Sequence, residues 1–172
     1  MTNSLNTDVL IIGAGAAGLT AALAAYDSGA KVTVIEKGAK LGGTAAISGG
    51  IVWVPDNPQM NAKGIADNRE DALSYFRSLD HGEMNADTLE AFVDQGANAL
   101  EFLNSQGALE LHVLDGYPDY YLDHPGAKAD GGRALDNALF DFRTLGDWAD
   151  KIYNGGDVVR MMLLETPLGG GS

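Results

Sequence analysis

The chain has 172 residues, enough for one domain, or one domain and part of a second, with a sizeable buried core. Its 24 acidic residues outnumber its 11 basic residues and give a formal net charge of −13, which argues against binding to nucleic acid or to an anionic membrane surface. The sequence contains no cysteine, which excludes disulfides, iron–sulfur ligation by this chain and a thiol nucleophile.

The N-terminal residues MTNSLNTD contain neither a basic region nor an apolar run, so no signal peptide is predicted and a cytoplasmic location is expected. Val9–Tyr26 carries no charged residue and is nearly long enough to cross a membrane. However, three spaced glycines interrupt this segment, and a buried parallel strand followed by a buried helix has the same hydropathy. We therefore interpret it as part of a soluble fold.

The N-terminal part of the chain predicts a βαβ unit with a glycine-rich turn. Asp8–Ile12 (DVLII) is a short apolar strand that leads directly into Gly13–Gly18 (GAGAAG). Leu19–Ser28 is predicted to be helical, and Lys31–Glu36 (KVTVIE) is a second strand that ends in an acid. A GxGxxG pattern between a strand and a helix, with an acid at the end of the next strand, is the dinucleotide-binding fingerprint.

Each element of this fingerprint has a physical role. Gly13 permits the tight turn, Gly15 lets the backbone approach a pyrophosphate, and Gly18 lets the helix pack closely on the strand. The helix N-terminus offers unpaired N–H groups and a partial positive charge to phosphates. Glu36 is expected to accept hydrogen bonds from a ribose 2′-OH, which favours FAD or NAD over a 2′-phosphorylated cofactor. A βαβ unit without a ligand is the alternative, which the joint match of glycines and acid disfavours.

A second glycine-rich segment, residues 38–52, follows the βαβ unit, and residues 53–66 contain two prolines and are predicted to form a loop. An NAD-dependent dehydrogenase would be expected to continue with alternating helices and strands here. A loop dense in glycine and small hydroxyls can instead bring several backbone N–H groups close to a large planar ligand and its phosphates. The alternative, a flexible surface loop, is disfavoured because the segment around Ile47 and Trp53 is too apolar.

Further elements are predicted along the rest of the chain. Asn68–Leu79 is expected to be a helix, and Asp87–Glu90 matches a capping box that opens a longer helix to about Ser105. Gly107 stands where a helix-ending glycine is expected. The predicted apolar stripe of the longer helix is Leu89, Phe92, Val93, Ala97, Leu100 and Leu103. The remaining predictions are a strand at Leu109–Leu114, irregular structure from Asp115 to Gly132 and a short helix at Asp147–Tyr153.

Four segments together resemble one family: DVLIIGAGAAGLTAALAA, VTVIEK, GGTAAISGGIVWVP, and YPDYY with GGRAL. They resemble the FAD-dependent fumarate reductase/succinate dehydrogenase flavoproteins, and within that family they are most similar to the 3-ketosteroid dehydrogenases. The resemblance covers about residues 7–145. It implies an α/β fold class with a Rossmann-like FAD-binding βαβ domain. Relative to the family the domain is incomplete, because the cap domain and the C-terminal return segment have no counterpart.

The resemblance implies a set of FAD contacts on both glycine segments. The first segment would meet the pyrophosphate, Glu36 would bind the adenosine ribose with Lys37 beside it, and the second segment would lie along the pyrophosphate, ribityl chain and flavin. The cofactor-binding residues implied in this way are Gly13, Ala14, Gly15, Ala16, Ala17, Glu36, Lys37, Gly42, Gly43, Thr44, Ala45, Ser48, Gly49 and Gly50.

The segment Tyr117–Tyr121 (YPDYY) is the candidate for substrate chemistry. Oxidation of a carbon–carbon bond beside a ketone removes a hydride, which flavin N5 accepts, and a proton, which requires a base. In the ketosteroid dehydrogenases a tyrosine from a similar segment lies in the active site, so the resemblance makes Tyr120 or Tyr121 the catalytic candidate, with Tyr120 preferred. The alternative is that both aromatic rings pack the loop onto the core with their hydroxyls at the surface.

Other polar residues carry weaker signals. The three histidines, His81, His112 and His124, are widely spaced without the rhythm of a metal site, and we interpret them as loop or surface residues. Arg133 could pair with an acid or reach the flavin, and structural pairing is the preferred interpretation. No metal site is predicted.

The predicted function is FAD-dependent dehydrogenation of a bond beside a ketone in a steroid-like small molecule. One alternative is a fumarate-reductase-like ene-reductase acting on a small unsaturated acid, and another is a non-catalytic FAD-binding subunit or fragment. We expect residues 1–167 to be the N-terminal part of an FAD-binding domain and residues 168–172 (LGGGS) to be a linker or truncation point. Alone, the chain is expected to bind FAD weakly or not at all and to be inactive, and a second chain is one way to complete the flavin site.

Overall fold

The computed structural model describes residues 4–153, which divide between two compact units. One unit holds the described residues of Met1–Gly50 and Phe140–Ser172, and the other is Ile51–Leu139. The predicted tail, residues 168–172, lies outside the described residues, so its separation from residues 1–167 stays a prediction. Across residues 4–153, no helix combines the length and the apolar character that crossing a membrane requires.

The first unit contains the predicted βαβ unit. Strand β1 (Val9–Ile12) pairs in parallel with strand β2 (Val32–Ile35), and helix α1 (Ala16–Asp27) connects them. Helix α1 begins earlier than the predicted Leu19, because Gly15 has the extended backbone of an N-cap residue and the helix follows it directly. The arrangement confirms the predicted α/β class and the predicted βαβ unit.

The remainder of this unit is built from short 3₁₀ segments. One covers Gly43–Ile47 within the second glycine-rich segment, and another covers Phe142–Lys151. The predicted short helix at Asp147–Tyr153 therefore corresponds to the end of a 3₁₀ segment that starts earlier. Its interior is interrupted at Gly146, whose φ of 53° does not continue a helix.

The second unit contains an antiparallel sheet in the order β3-β5-β4, formed by β3 (Val52–Trp53), β4 (Leu111–Asp115) and β5 (Gly131–Asn137). Strand β4 confirms the strand predicted near Leu109–Leu114. The central strand, β5, was absent from the predicted elements because GGRALDN opens with two glycines and shows no alternation of apolar and polar residues. Its first five residues are all buried, so pairing on both edges determines its conformation.

Helices of the second unit begin after asparagine side chains that cap them. Residues 53–66 were predicted to be loop, but helix α2 (Pro58–Ala62) forms there because Asn57 accepts the Met60 N–H and proline fits the first helical position. The predicted helix Asn68–Leu79 is confirmed as α3 (Arg69–Leu79), which Asn68 caps.

Helix α4 (Ala86–Ser105) ends where the sequence predicts, but it begins with a different cap. The predicted capping box at Asp87–Glu90 is wrong, because the side chain of Asn85 accepts the Thr88 N–H instead. At the other end Gly107 has a φ of +67° and donates its N–H to the Asn104 carbonyl, which confirms the predicted helix-ending glycine.

The core of the second unit consists of two apolar clusters. The larger cluster joins the sheet to α2 and α4, and its buried residues are Val54, Met60, Leu100, Val113 and Leu135. The smaller cluster packs α3 on α4 through Ala72, Leu73 and Val93. The predicted stripe of α4 is confirmed at Val93 and Leu100, whereas Phe92 remains 41% exposed at its edge.

Candidate functional site

The turn between β1 and α1 has the geometry that its glycines predict. Gly13 adopts a φ of +101°, which side-chain-bearing residues rarely adopt, and it donates its N–H to the Ile35 carbonyl at 2.7 Å. A Cβ added to Gly18 would lie 2.0 Å from the Gly13 oxygen. The structure therefore shows the turn role predicted for Gly13 and the close-packing role predicted for Gly18.

Gly15 differs from these two glycines, because nothing in the protein requires glycine there. Its φ of −82° suits any residue, and an added Cβ would lie 3.9 Å from its nearest neighbour, the Gly42 oxygen. Among the described residues no side chain caps α1, so the N–H groups of its first turn are available. Open space beside bare backbone at a helix N-terminus fits the phosphates of a dinucleotide.

The second glycine-rich segment lies directly against the first. Gly42 donates its N–H to the Ala14 carbonyl at 2.8 Å, and a Cβ added to Gly43 would come within 3.3 Å of the Gly15 Cα. Both glycines have positive φ angles, +121° at Gly42 and +54° at Gly43. The structure thus brings together two segments that sequence reasoning could assign to one site only by resemblance.

The rest of the second segment presents exposed backbone and small side chains. The Ser48 hydroxyl donates to the Ala45 carbonyl at 2.9 Å and accepts the Gly50 N–H at 3.2 Å. An added Cβ would meet no atom within 4 Å at either Gly49 or Gly50. The exposed predicted contacts of this segment are Gly43, Thr44, Ala45, Ser48, Gly49 and Gly50. Their contact with FAD stays a prediction.

Glu36 has a second role that sequence reasoning missed. Its carboxylate accepts the Ala14 N–H at 2.8 Å and the Gly38 N–H at 2.7 Å, so it ties the end of β2 to the glycine turn. These hydrogen bonds, that from Ala14 above all, hold the pKa of Glu36 below its ordinary value. The ionised carboxylate retains lone pairs for a ribose hydroxyl, which is compatible with the predicted role. Lys37 beside it is exposed.

The tyrosines of the YPDYY segment lie in the second unit, where Tyr117 is half-buried and Tyr120 and Tyr121 are exposed. Tyr120 is 81% exposed and Tyr121 is 53% exposed, so the interpretation that both rings pack onto the core does not fit Tyr120. The hydroxyls of Tyr117 and Tyr120 are 3.2 Å apart. This hydrogen bond, together with burial, raises the pKa of Tyr117. In a phenol pair joined in this way, one hydroxyl can donate a hydrogen bond to the other oxygen.

Asp119, between these tyrosines, is a buried anchor that the sequence does not reveal. Its carboxylate accepts hydrogen bonds from Trp53 Nε1 at 2.7 Å, from the Lys128 N–H at 2.9 Å and from Arg133 Nη1 at 2.9 Å. Arg133 is also fully buried and forms a bidentate ion pair with Asp67. Its Nε and Nη2 atoms each lie 2.8 Å from one carboxylate oxygen of Asp67. The preferred interpretation of Arg133, structural pairing with an acid, is therefore confirmed.

Hydrogen bonds in this cluster favour the charged forms of Asp67 and Arg133. Burial alone would raise the pKa of Asp67, but hydrogen bonds from Arg133 and from the Asp56 N–H hold it below the ordinary value. Burial likewise opposes the charge on Arg133, yet its acidic partners raise the pKa of that guanidinium. Lys128 extends the cluster toward Asp71, which accepts its hydrogen bond at 3.0 Å.

The histidines show no metal-binding arrangement. His124 Nδ1 lies 2.9 Å from the Ser78 hydroxyl, which is 2.6 Å from the Tyr75 carbonyl. Among residues 4–153, no group of three or more histidines, cysteines or acids is arranged to hold a metal ion.

Comparison with known proteins places this chain in a family. The family model described as an FAD binding domain matches residues 8–166. A 4-oxocyclohexanecarboxylate 2-dehydrogenase of Sinomonas cyclohexanicum is 40% identical over 150 residues, which cover 87% of this chain and 26% of the relative. A 3-oxosteroid 1-dehydrogenase of Mycobacterium tuberculosis is 36% identical over 139 residues, covering 81% of this chain and 24% of the relative.

A solved structure agrees with these relatives. The 3-ketosteroid delta1-dehydrogenase of Sterolibacterium denitrificans, in complex with 1,4-androstadiene-3,17-dione, is 40% identical and superposes with a TM-score of 0.78. The match covers 85% of this chain and 26% of that one. The chain therefore spans about a quarter of the length of the relatives it matches. These matches confirm the predicted FAD cofactor and the predicted resemblance.

Proposed function

The chain belongs to the FAD-binding domain family, and from that premise we propose that the complete protein is an FAD-dependent dehydrogenase forming a carbon–carbon double bond beside a ring ketone. The observation that carries the proposal is the contact of the two glycine segments beside the uncapped N-terminus of α1. The substrate class follows from the relatives, whose names specify 3-oxosteroids and 4-oxocyclohexanecarboxylate. A 3-ketosteroid is the substrate that we propose first.

The residues of the first unit bind and orient the cofactor in this proposal. Backbone N–H groups at the start of α1 hold the pyrophosphate, with Gly15 leaving the space that it needs. Glu36 accepts a hydrogen bond from the adenosine ribose while its contacts to Ala14 and Gly38 keep the carboxylate in place. The bound flavin supplies hydride acceptance, which protein side chains cannot provide.

The residues of the second unit handle the proton. We assign proton removal to the Tyr120 hydroxyl, with Tyr121 as the second candidate. A phenol has an ordinary pKa of about 10, so a base of this type works best when a neighbouring hydroxyl stabilises its anion. The Tyr117 hydroxyl, 3.2 Å from that of Tyr120, is placed to donate such a hydrogen bond.

The experiment uses the complete natural gene product that carries this sequence. The purified protein should show flavin absorbance and reduce an artificial electron acceptor when given a 3-ketosteroid or 4-oxocyclohexanecarboxylate. Tyr120→Phe should lower kcat by about 10²- to 10⁴-fold and leave the flavin spectrum unchanged. The same loss in Tyr121→Phe alone would move the assignment to Tyr121.

Other outcomes separate the alternatives. Reduction of fumarate by a reduced donor, without ketone oxidation, would assign the protein to the ene-reductases. Bound flavin without turnover of either substrate class would favour a non-catalytic FAD-binding subunit. A colourless protein that FAD cannot reconstitute would reject the proposal. A second chain that completes the flavin site and a cytoplasmic location stay predictions.

A further inference from the structure

The backbone that carries Tyr120 and Tyr121 is tied to the protein on both sides of Tyr120. On one side the Asp119 carboxylate is held by Trp53, by the Lys128 N–H and by Arg133, and Asp119 is only 5% exposed. The Asp119 N–H also donates to the Lys128 carbonyl at 3.1 Å. On the other side the Tyr121 N–H donates to the Tyr75 hydroxyl at 3.2 Å.

The groups that hold this backbone are themselves fixed. The Arg133 guanidinium donates hydrogen bonds to both carboxylate oxygens of Asp67, and both side chains are fully buried. It also lies over the rings of Trp53 and Tyr75, with its central carbon 5.3 Å and 5.8 Å from the ring centres. The Tyr75 ring stacks in turn on Trp53 with centres 6.0 Å apart. Neither Arg133 nor Tyr75 can therefore turn without breaking several contacts.

The side chains of the tyrosine pair contrast with this rigid support. Tyr120 and Tyr121 are 81% and 53% exposed, directly beside one of the most buried acids of the described chain. Buried ion pairs are a weak source of stability, since apolar groups of similar volume often stabilise a fold at least as well. A buried cluster beneath two exposed phenols is therefore better explained by the geometry that it imposes on them.

We propose that Arg133, Asp119 and Tyr75 are positioning residues that hold the Tyr120–Tyr121 backbone in the geometry required for proton removal. We call these three residues the tyrosine frame. The proposal rests on the proposed function only through the role of the tyrosines. It assigns the frame no contact with substrate or cofactor.

Tyr75→Phe is the mildest test, because it removes one hydroxyl and preserves the ring that stacks on Trp53. In the complete gene product, amide hydrogen exchange at Tyr121 should become about tenfold faster, as expected for the loss of one hydrogen bond. Turnover of the ketone should fall about tenfold or more in kcat, with KM within about twofold, since misplacing a catalytic group affects the reaction more than binding. Unchanged exchange and unchanged kcat would overturn the proposal.

Leu73→Ala is the matched control for stability. Leu73 is fully buried on the same helix, α3, but packs in the cluster with Ala72 and Val93. The cavity should lower Tm at least as much as Tyr75→Phe does, while kcat measured well below Tm stays within about twofold of wild type. An equal fall in kcat for both variants would mean that stability alone is responsible, which would reject the frame.

The exchange measurement separates this proposal from the proposed function. A wild-type protein that oxidises no ketone would reject the function, whereas slow amide exchange at Tyr121 that accelerates in Tyr75→Phe would still support the frame. Asp119→Asn provides a second test, because it retains the shape of the side chain but removes its charge. It should accelerate exchange at Tyr121 and at Lys128, whose N–H donates to the Asp119 carboxylate, and unchanged exchange at both positions would count against the frame.

Discussion

At the scale of single residues, glycines of one motif serve different physical purposes. Gly18 is required by the protein, because any side chain would collide with the Gly13 carbonyl. Gly15 has an ordinary backbone conformation, and a Cβ added to it would come no closer than 3.9 Å to another residue, so the protein would accommodate a side chain there. The motif that appears as one pattern in the sequence is thus a folding requirement at Gly18, and we propose that it is a binding requirement at Gly15.

This difference predicts opposite effects for two alanine substitutions. Gly18→Ala should lower the free energy of unfolding by about 3 kcal/mol or more, since the backbone must move away from a 2.0 Å overlap. Gly15→Ala should lower it by no more than about 1 kcal/mol, the usual effect of alanine at an N-cap, yet weaken FAD binding at least about tenfold. Urea titration and FAD titration of each variant measure the two quantities. Equal losses of stability would contradict the distinction.

At the scale of elements, asparagine caps determine where the helices of the second unit begin. Asn57, Asn68 and Asn85 each accept a backbone N–H from the first turn of the helix that follows. The capping-box pattern at Asp87–Glu90 competes with Asn85 in the sequence, and both fit the general preferences for helix starts. The chain geometry favours Asn85 because its backbone is extended there, whereas Asp87 already lies inside α4.

The cap assignment predicts unequal effects at two nearby positions. Asn85→Ala should lower the free energy of unfolding by about 1 kcal/mol, because the Thr88 N–H loses its partner. Asp87→Ala should lower it by only about 0.3–0.5 kcal/mol, the effect of one acid near a helix N-terminus. Chemical denaturation of the two variants provides the comparison. A larger loss of unfolding free energy in Asp87→Ala than in Asn85→Ala would support the capping box instead.

At the scale of the whole molecule, stability depends on acids whose pKa differs between the folded and unfolded chain. Asp67 is the clearest case, since its side chain is fully buried against Arg133. Its pKa lies below the ordinary value in the folded protein. Such an acid stabilises the fold fully above its unfolded pKa of about 3.9, and this contribution is lost as the pH falls through the lower folded pKa.

We therefore expect the free energy of unfolding to decrease below about pH 4, and Asp67→Asn to flatten that decrease. The variant should be less stable at neutral pH, because Arg133 loses a buried charged partner. The slope of its free energy of unfolding against pH should be smaller than that of wild type by at most about 1.4 kcal/mol per pH unit, the limit for one proton. Urea titrations between pH 3 and 7 measure the slope. Asp130→Asn is the control, because it removes one negative charge from an exposed acid. If it reduced the pH dependence of stability as much as Asp67→Asn does, the dependence could not be assigned to Asp67.

Much of the local structure could be predicted, because the signals involved are local. The parallel βαβ unit follows from DVLII, GAGAAG and KVTVIE, and the ends of α3 and α4 follow from apolar periodicity and from Gly107. Strand β5 and helix α2 could not be predicted in the same way. Pairing on both edges determines β5. Helix α2 has a local start signal, Asn57 followed by Pro58, but it is only five residues long and so shows no apolar periodicity.

By itself, the sequence determined that the chain carries a dinucleotide fingerprint and a second glycine-rich segment. It also determined the family that these two segments resemble. Only the tertiary structure decided that these segments touch, that a side chain at Gly15 would meet no close neighbour and that the Glu36 carboxylate holds the glycine turn. It also decided that Asp119 and Arg133 lie buried beneath exposed tyrosines. The physical reason is that fingerprints depend on spacing along the chain, whereas burial and ion pairing depend on residues such as Asp67 and Arg133 that are far apart in sequence.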